Sequence, residues 1–245
     1  MNLIRKGHGH AHRGVIGVES AIVMIAFVIV AAALAFVVLN MGFSTTQKAK
    51  TTIISSLGEA SSSLEVAGKV TGSGHVASAA LNVTAIPIKI ASGGDSVNLA
   101  PGTAAVKYLQ NSISYDDILQ GTLTTAAQDD DDGTATGEWQ QLEAAFESAD
   151  DANGVPGCTP TATQNPFKDG GWPVETCAFI YWTVNSNNNN ILDQGEHAVL
   201  AIAYALGDRP TSLDNIRAEV ILPTGASLTV ERQVPVVTNT VVDLG

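Results

Sequence analysis

The chain has 245 residues, of which 15% are charged, and its formal net charge is -12 at pH 7. A chain of this length has room for one or two domains and for a sizeable hydrophobic core. Because an acidic chain without a basic patch repels phosphates, the composition argues against nucleic acid as a partner.

The N-terminus combines a basic leader with a long apolar run. Residues 1–14 contain no acidic residue, and Val15–Leu39 is apolar apart from Glu19 and a few small residues. About 20 apolar residues cross a bilayer as a helix. A helix that is apolar on every side needs lipid or a complete ring of protein neighbours. The apolar run is too long for an ordinary secretory signal, so we expect cleavage in front of it, between Gly14 and Val15.

These residues carry a resemblance to a known family. A basic residue, a glycine, a mature start with Gly17 third and Glu19 fifth, and then an aliphatic helix form the class III signal pattern. The chain resembles type IV pilins and, more closely, the archaellins, which are the subunits of the archaeal swimming filament. The resemblance is strong over about residues 13–65.

The resemblance implies a route to the cell surface. A prepilin-peptidase-like signal peptidase would cut after Gly14, and the product would be stored in the cytoplasmic membrane. The archaellum assembly machinery would then extract it into a helical homopolymer, an extracellular filament on the cell surface.

Glu19 is the polar exception in the apolar run. A lone carboxylate in an apolar place is costly unless it is paired. After cleavage the Val15 α-amine is the nearest cation, and the resemblance implies that Glu19 meets this amine on a neighbouring subunit. The alternative is that Glu19 merely favours a helix N-terminus, where the dipole attracts an anion.

Beyond the apolar run the helix is expected to continue in amphipathic form. Ile53, Ile54, Leu57, Leu64 and Val66 keep a rough helical stripe. Glycines at 68, 72 and 74 then end the pattern, which predicts a helix from Val15 to about Lys69.

The remainder changes to the period of strands. Six segments are rich in Val, Ile, Thr and aromatic residues and are separated by Gly, Pro, Asn and Asp: 75–90, 105–115, 178–185, 197–206, 216–224 and 227–244. They predict an antiparallel, immunoglobulin-like β-sandwich. The expected fold class is therefore α+β, with a cleaved leader at 1–14, an N-terminal helix at 15–72 and an outer domain at 73–245.

Polar insertions separate the predicted strands. Asp129–Asp132 is expected to be a solvated acidic loop, 138–148 a short amphipathic helix, and 149–176 an exposed loop. Cys158 and Cys177 lie in this region, and an even pair behind an export segment favours one disulfide over two free thiols.

One loop has the ligand spacing of a calcium site. Oxygen-bearing residues occupy places one, three, five, nine and twelve, with a carbonyl at seven: Asn185, Asn187, Asn189, Asp193, Glu196 and Ile191. Calcium prefers six to eight such oxygens. Asn190 stands at the sixth place, where such loops have glycine, and the flanks look like strands rather than helices. The loop predicts weak calcium binding, and the alternative is an Asn-rich turn without metal.

Asn82-Val83-Thr84 is an N-glycosylation sequon, and archaellins are often glycosylated. No catalytic motif is present, so no enzymatic activity is expected. The sequence predicts an archaellin-like structural subunit for swimming motility. The alternatives are an adhesive archaeal type IV pilin and a membrane-anchored surface binding protein.

Overall fold

The computed structural model describes residues 13–61, 64–124, 141–149, 155, 158, 165–167, 171–223 and 225–245. The leader before Arg13 and the acidic run at 129–132 lie outside these residues. The chain divides into two compact units, Met1–Ser55 and Ser56–Gly245. We describe each unit by itself.

Helix α1 covers Arg13–Ser61 and has 49 residues. Its first part follows from an unbroken aliphatic run that contains no proline, as expected. The prediction that the helix reaches Lys69 is wrong, because strand β1 already begins at Leu64. The Ser61-Ser62-Ser63 run has poor helix propensity and separates the two elements in the sequence.

Two residues of the predicted helical stripe, Leu64 and Val66, belong to strand β1 and not to a helix. Leu64 and Val66 pair with Ile90 and Ile88 on a long neighbouring strand, and Leu64 is buried. The next strand, β2 (Thr71–His75), pairs further along the same neighbour. The segment from 64 to 75 is therefore an interrupted strand rather than the end of a helix.

The outer unit contains thirteen strands, one short helix and one 3₁₀ turn among its described residues. The strands are β1 Leu64–Val66, β2 Thr71–His75, β3 Ala80–Ile90, β4 Val97–Asn98, β5 Ala105–Gln110, β6 Ser114–Tyr115, β7 Leu119–Leu123, β8 Cys177–Val184, β9 Ile191–Leu192, β10 His197–Ala203, β11 Asn215–Ile221, β12 Leu228–Gln233 and β13 Val241–Asp243. The 3₁₀ turn is Val76–Ser78, and helix α2 is Leu142–Ser148.

These strands form two main sheets. The larger has seven strands in the order β13-β2-β3-β10-β8-β7, with β1 also paired to β3. The smaller has the order β12-β11-β5-β6. All pairs are antiparallel except β7 and β8, which run parallel. The expectation of a purely antiparallel sandwich is wrong at that edge, because a long crossover joins β7 to β8.

The two sheets enclose the main core. Ile180, Trp182 and Leu200 of the larger sheet and Val106 and Ile216 of the smaller belong to one buried apolar cluster. The rings of Tyr108 and Tyr204 lie 5.5 Å apart between the sheets. The predicted sandwich, built from alternating strand residues, is thereby confirmed in its main features.

The other face of the larger sheet is also covered. A second cluster joins Phe179 and Val199 of the sheet to Phe146 of α2 and to Val155 and Cys158 of the insertion. The rings of Phe146 and Phe179 pack edge to face at 4.8 Å. The expectation that 149–176 is an exposed loop is wrong for most of its described residues. Burial on both faces explains why β8 and β10 are apolar at nearly every position.

Candidate assembly helix and outer-domain loops

The surface of α1 is apolar along most of its length. Among the described residues, the large apolar side chains from Val18 to Leu57 are 52% to 74% exposed. Burying one such side chain is worth roughly 1.5–3 kcal/mol relative to water. Gly17–Leu57 is long and apolar enough to cross a membrane. Helix α1 therefore needs a cover of lipid or protein.

The threonines in the second half of α1 are compatible with an apolar contact surface. The hydroxyl of Thr45 donates to the carbonyl of Met41 at 2.8 Å, and that of Thr52 donates to the carbonyl of Lys48 at 2.9 Å. Thr46 and Thr51 donate to carbonyls one turn back in the same way. Because these hydroxyls are satisfied within the helix, they can enter an apolar contact without an external partner.

The predicted cleavage and pairing residues all lie in the first turns of α1. Gly14 and Val15 belong to the helical backbone, and the side chain of Glu19 is exposed. Cleavage between Gly14 and Val15 would place the new amine four residues before Glu19, which is one helical turn. Both the cleavage and the pairing stay predictions.

The Asn-rich loop between β8 and β10 is closed by its own hydrogen bonds. Asn185 Oδ1 accepts from the N–H of Asn188 at 2.9 Å, and Asn189 Oδ1 accepts from the N–H of Ile191 at 2.7 Å. The side-chain amide of Asn187 donates to Asp193. The side chains expected to bind calcium therefore stabilise the turn directly.

Glu196 is the most buried member of this loop, with 1% of its surface exposed. Its Oε1 accepts from the N–H of Ser186 at 2.8 Å, and its Oε2 accepts from the N–H of Asp193 at 3.0 Å. One carboxylate thus joins both ends of the loop. Among the described residues, no group of three or more His, Cys, Asp or Glu side chains could hold a metal.

The backbone of the loop departs from the expected calcium geometry. The residues of the loop with a positive φ are Asn188, at 54°, and Gly195, at 95°, and not Asn190 at the sixth place. Asn190 has another role that spacing could not reveal. Its carbonyl accepts from the N–H of Leu99 at 2.9 Å, and its Oδ1 accepts from the hydroxyl of Thr122 at 2.8 Å.

Cys158 and Cys177 form a disulfide with a Cα–Cα distance of 5.6 Å. Cys177 is the first residue of β8, and both cysteines are buried in the second apolar cluster. The bond fastens the insertion to the outer face of the larger sheet. It is a local staple and does not join the two sheets.

Asn82 lies in the interior of the outer unit. It belongs to β3 and is 5% exposed, while the neighbouring Thr84 bonds to the hydroxyl of Tyr204 at 2.8 Å. A glycosylated asparagine must project its amide into solvent. The position of Asn82 therefore disfavours glycosylation of the folded chain, contrary to the expectation from the sequon.

A long N-terminal helix with a mostly apolar, exposed surface precedes a β-sandwich, which is the layout of surface proteins that are held by one helix in a membrane or in a filament. The profile of the archaeal-type flagellin family matches residues 14–232. Probable flagellin 1 of Aeropyrum pernix is 35% identical over 226 residues, which are 91% of this chain and 92% of that protein. The chain belongs to the archaeal-type flagellin family.

Solved structures show the same fold. The archaeal flagellum of Methanospirillum hungatei matches with a TM-score of 0.55 and 21% identity, over 92% of this chain and 98% of that one. Flagellin FlaB1 of Methanocaldococcus jannaschii gives a TM-score of 0.52 and 15% identity, over 75% of this chain and 96% of that one. The predicted family, fold class and role as a structural subunit of the archaeal flagellum are confirmed, and neither alternative gains support.

Proposed function

We propose that this chain polymerises through α1 into the rotating filament with which archaea swim. In the filament, α1 helices of many copies would form a bundle at the axis, and the β-sandwiches would face the medium. The observation that carries this proposal is the exposed apolar surface of α1 in a member of this family. Neighbouring α1 helices would supply the cover that the helix lacks.

Membrane storage before assembly fits the same surface. Lipid tails are as apolar as leucine, so transfer of α1 from a bilayer to a helix bundle changes its hydrophobic free energy little. Small residues then influence whether α1 favours the bilayer or the bundle, because they let neighbouring helices approach closely. Ala31, Ala32, Ala33 and Ala35 supply such positions.

The proposed route from the membrane to the filament implies two partners, a peptidase and an assembly machinery. A prepilin-peptidase-like enzyme would cut between Gly14 and Val15 and remove the basic leader. The archaellum assembly machinery would move the cut chain from the cytoplasmic membrane into the extracellular filament. The acidic charge of the chain supports no role in binding nucleic acid.

Filaments sheared from cells test this proposal. We expect their main protein to begin at Val15 and cryo-electron microscopy to place α1 at the axis. Deletion of the gene should abolish swimming and leave surface attachment intact. A mature chain trimmed beyond Leu39, or loss of attachment with normal swimming, would contradict the proposal.

The pairing of Glu19 with the Val15 amine of a neighbour makes a sharper prediction. Glu19→Gln keeps the shape of the side chain but removes its charge, so we expect filament yield to fall at least about tenfold, the equivalent of one lost ion pair of 1.4 kcal/mol. The membrane-bound pool should remain. Yield is measured by quantifying subunits in sheared filaments and in membranes.

The matched control is Glu65→Gln, which removes a carboxylate that pairs with Lys89 at 3.0 Å on the outer unit. It should leave the yield unchanged. Normal yield for Glu19→Gln would show that the carboxylate only caps its helix.

We also propose weak calcium binding by the loop from Asn185 to Glu196. Because its oxygens already accept hydrogen bonds, calcium must compete with them, and we expect a dissociation constant of roughly 0.1–1 mM. At about ten times that concentration, binding would add about 1.4 kcal/mol, or about 3–5 °C in melting temperature. Magnesium, which prefers a rigid octahedral site, is the control. Identical melting curves in calcium and in chelator would defeat this proposal.

A further inference from the structure

Three distant segments of the outer unit meet around Trp172. The guanidinium of Arg209 lies 4.3 Å from the centre of the Trp172 ring, and the His75 ring meets it edge-on at 5.8 Å. Ser78 ties Arg209 to the segment that carries His75, because its hydroxyl accepts from Arg209 Nη1 at 2.9 Å and bonds to His75 Nδ1 at 2.8 Å. These residues belong to none of the motifs that the sequence shows.

Exposed apolar side chains lie next to these residues along the chain. Val76 is 50% exposed, Val174 71% and Leu206 59%, and the three lie within three residues along the chain of His75, Trp172 and Arg209 respectively. We call this surface the Trp172 patch, and its members are His75, Val76, Trp172, Val174, Leu206 and Arg209. Tryptophan and arginine surrounded by apolar groups are typical of the energetic centre of protein interfaces.

The guanidinium of Arg209 has more N–H donors than its described contacts engage. A guanidinium offers five N–H donors, and two are engaged, by Ser78 and by the carbonyl of Leu206 at 3.4 Å. Arg209 takes part in none of the salt bridges formed among the described residues. Partial burial lowers its pKa, because a desolvated cation is disfavoured. A carboxylate delivered from outside would relieve this cost and could bind in bidentate fashion.

The composition of the chain indicates where that carboxylate comes from. The chain has 24 acidic residues against 12 Lys and Arg, so another copy presents a surface rich in carboxylates. Asp116, for example, has a side chain that is 91% exposed. The patch cannot face itself, since two Arg209 cations would then oppose each other. Contact between unlike surfaces of identical subunits produces a ring where the rotation closes and an open helical assembly where it does not, and the second is the geometry of a filament.

We infer that the Trp172 patch is a contact surface between outer units of neighbouring subunits, an inference that rests on the proposed assembly of this chain into a filament. Arg209 binds a carboxylate on the next copy of this chain, and Trp172 with its apolar neighbours packs around that ion pair. This contact is additional to the bundle of α1 helices. It ties the outer layer of the filament together and resists its dissociation.

Photo-cross-linking in assembled filaments tests the contact directly. Benzoylphenylalanine replaces Val174 in the full-length chain, and filaments sheared from the cells are irradiated. We expect covalent dimers of this chain on a denaturing gel, with the cross-link joining position 174 to an outer-unit peptide, and no dimers from irradiated detergent-solubilised subunits. Adducts within a single chain only, adducts to a different protein, or no adducts would each overturn the inference.

A pair of matched substitutions tests the role of the cation. Arg209→Gln should lower the temperature at which sheared filaments dissociate, and Arg209→Lys should lower it less. The control Arg217→Gln changes an exposed arginine on β11 outside the patch and should leave this temperature unchanged. Melting of the solubilised subunits separates loss of contact from loss of folding. Unchanged dissociation of Arg209→Gln filaments would overturn the inference.

Discussion

Asp214 illustrates how one carboxylate can organise a turn. It accepts hydrogen bonds from the N–H and hydroxyl of Thr211, both at 2.8 Å, and from the side-chain amide of Asn111 at 2.9 Å. The amide of Gln110 approaches it at 3.5 Å. These bonds, led by the N–H of Thr211, hold the pKa of Asp214 below its ordinary value. The turn before β11 is thereby fastened to the end of β5.

This geometry predicts how acid affects the fold. A carboxylate whose pKa is lower in the folded chain stabilises it above the unfolded pKa of about 3.9, and this stabilisation is lost as the pH falls further. Asp214→Asn should therefore lower the stability of solubilised subunits by about 1 kcal/mol at neutral pH, a value kept small by solvent screening. Thermal unfolding measured at decreasing pH should show the difference from wild type disappearing below about pH 4.

Asp116→Asn is the control for this experiment, because the Asp116 side chain is 91% exposed and pairs with Lys107 at 3.0 Å at the surface. We expect little change from it at any pH. An Asp214→Asn variant whose deficit persisted in acid would show that packing, and not charge, explains the loss.

At the scale of elements, the larger sheet depends on a cover that its strands do not supply. The smaller sheet packs on one face, and α2 with the disulfide-fastened insertion packs on the other. Without the second cover, Phe179, Tyr181 and Val199 would face water. The insertion is therefore a structural layer of the outer unit, despite its polar, proline-rich sequence.

Removing the disulfide should loosen this layer. The bond closes a loop with a sequence separation of 19 residues, for which chain entropy predicts about 3 kcal/mol. Replacing Cys158 and Cys177 together by alanine should lower the melting temperature by roughly 10 °C and increase the binding of a dye for exposed apolar surface. A melting temperature equal to that of wild type would show that packing of α2 alone holds the cover.

Elements that depend on local sequence patterns could be predicted, whereas those that depend on pairing between distant segments could not. Strand β8 is rich in β-branched and aromatic residues and β10 is a nearly continuous apolar run, so local composition indicates both. Strand β2, Thr71–His75, has two glycines and is held by pairing with β3, which no local signal reveals. The leader and α1 are local patterns and indicate the assembly helix, whereas the Trp172 patch joins residues from three separate segments and needs the fold.

At the scale of the whole molecule, the outer unit buries most of its large apolar side chains, whereas α1 exposes them. Among the described residues, the members of both apolar clusters of the outer unit lie between Leu64 and Leu244. The large apolar residues of α1 are instead exposed among the described residues. Folding of the outer unit and protection of α1 are therefore separate requirements.

A truncated chain tests this separation. We expect residues 64–245 to be soluble, monomeric and cooperatively folded, while residues 15–245 need detergent. Size-exclusion chromatography and thermal unfolding by circular dichroism provide the measurements, and Phe179→Asp, which places a charge in the second cluster, provides an unfolded reference. An unfolded fragment would mean that the outer unit requires α1.

The distribution of apolar residues along α1 has a consequence for the stored precursor. Val15–Leu39 spans about 37 Å, which a bilayer with a hydrocarbon thickness of about 30 Å accommodates by a tilt of the helix. The part of α1 beyond it carries Lys48 and Lys50, yet Ile53, Ile54 and Leu57 are exposed there. In a membrane these three apolar side chains would lie at the headgroups or in water. A fibre has no such thickness limit, so extraction would cover apolar surface that the bilayer leaves uncovered and would favour growth of the fibre.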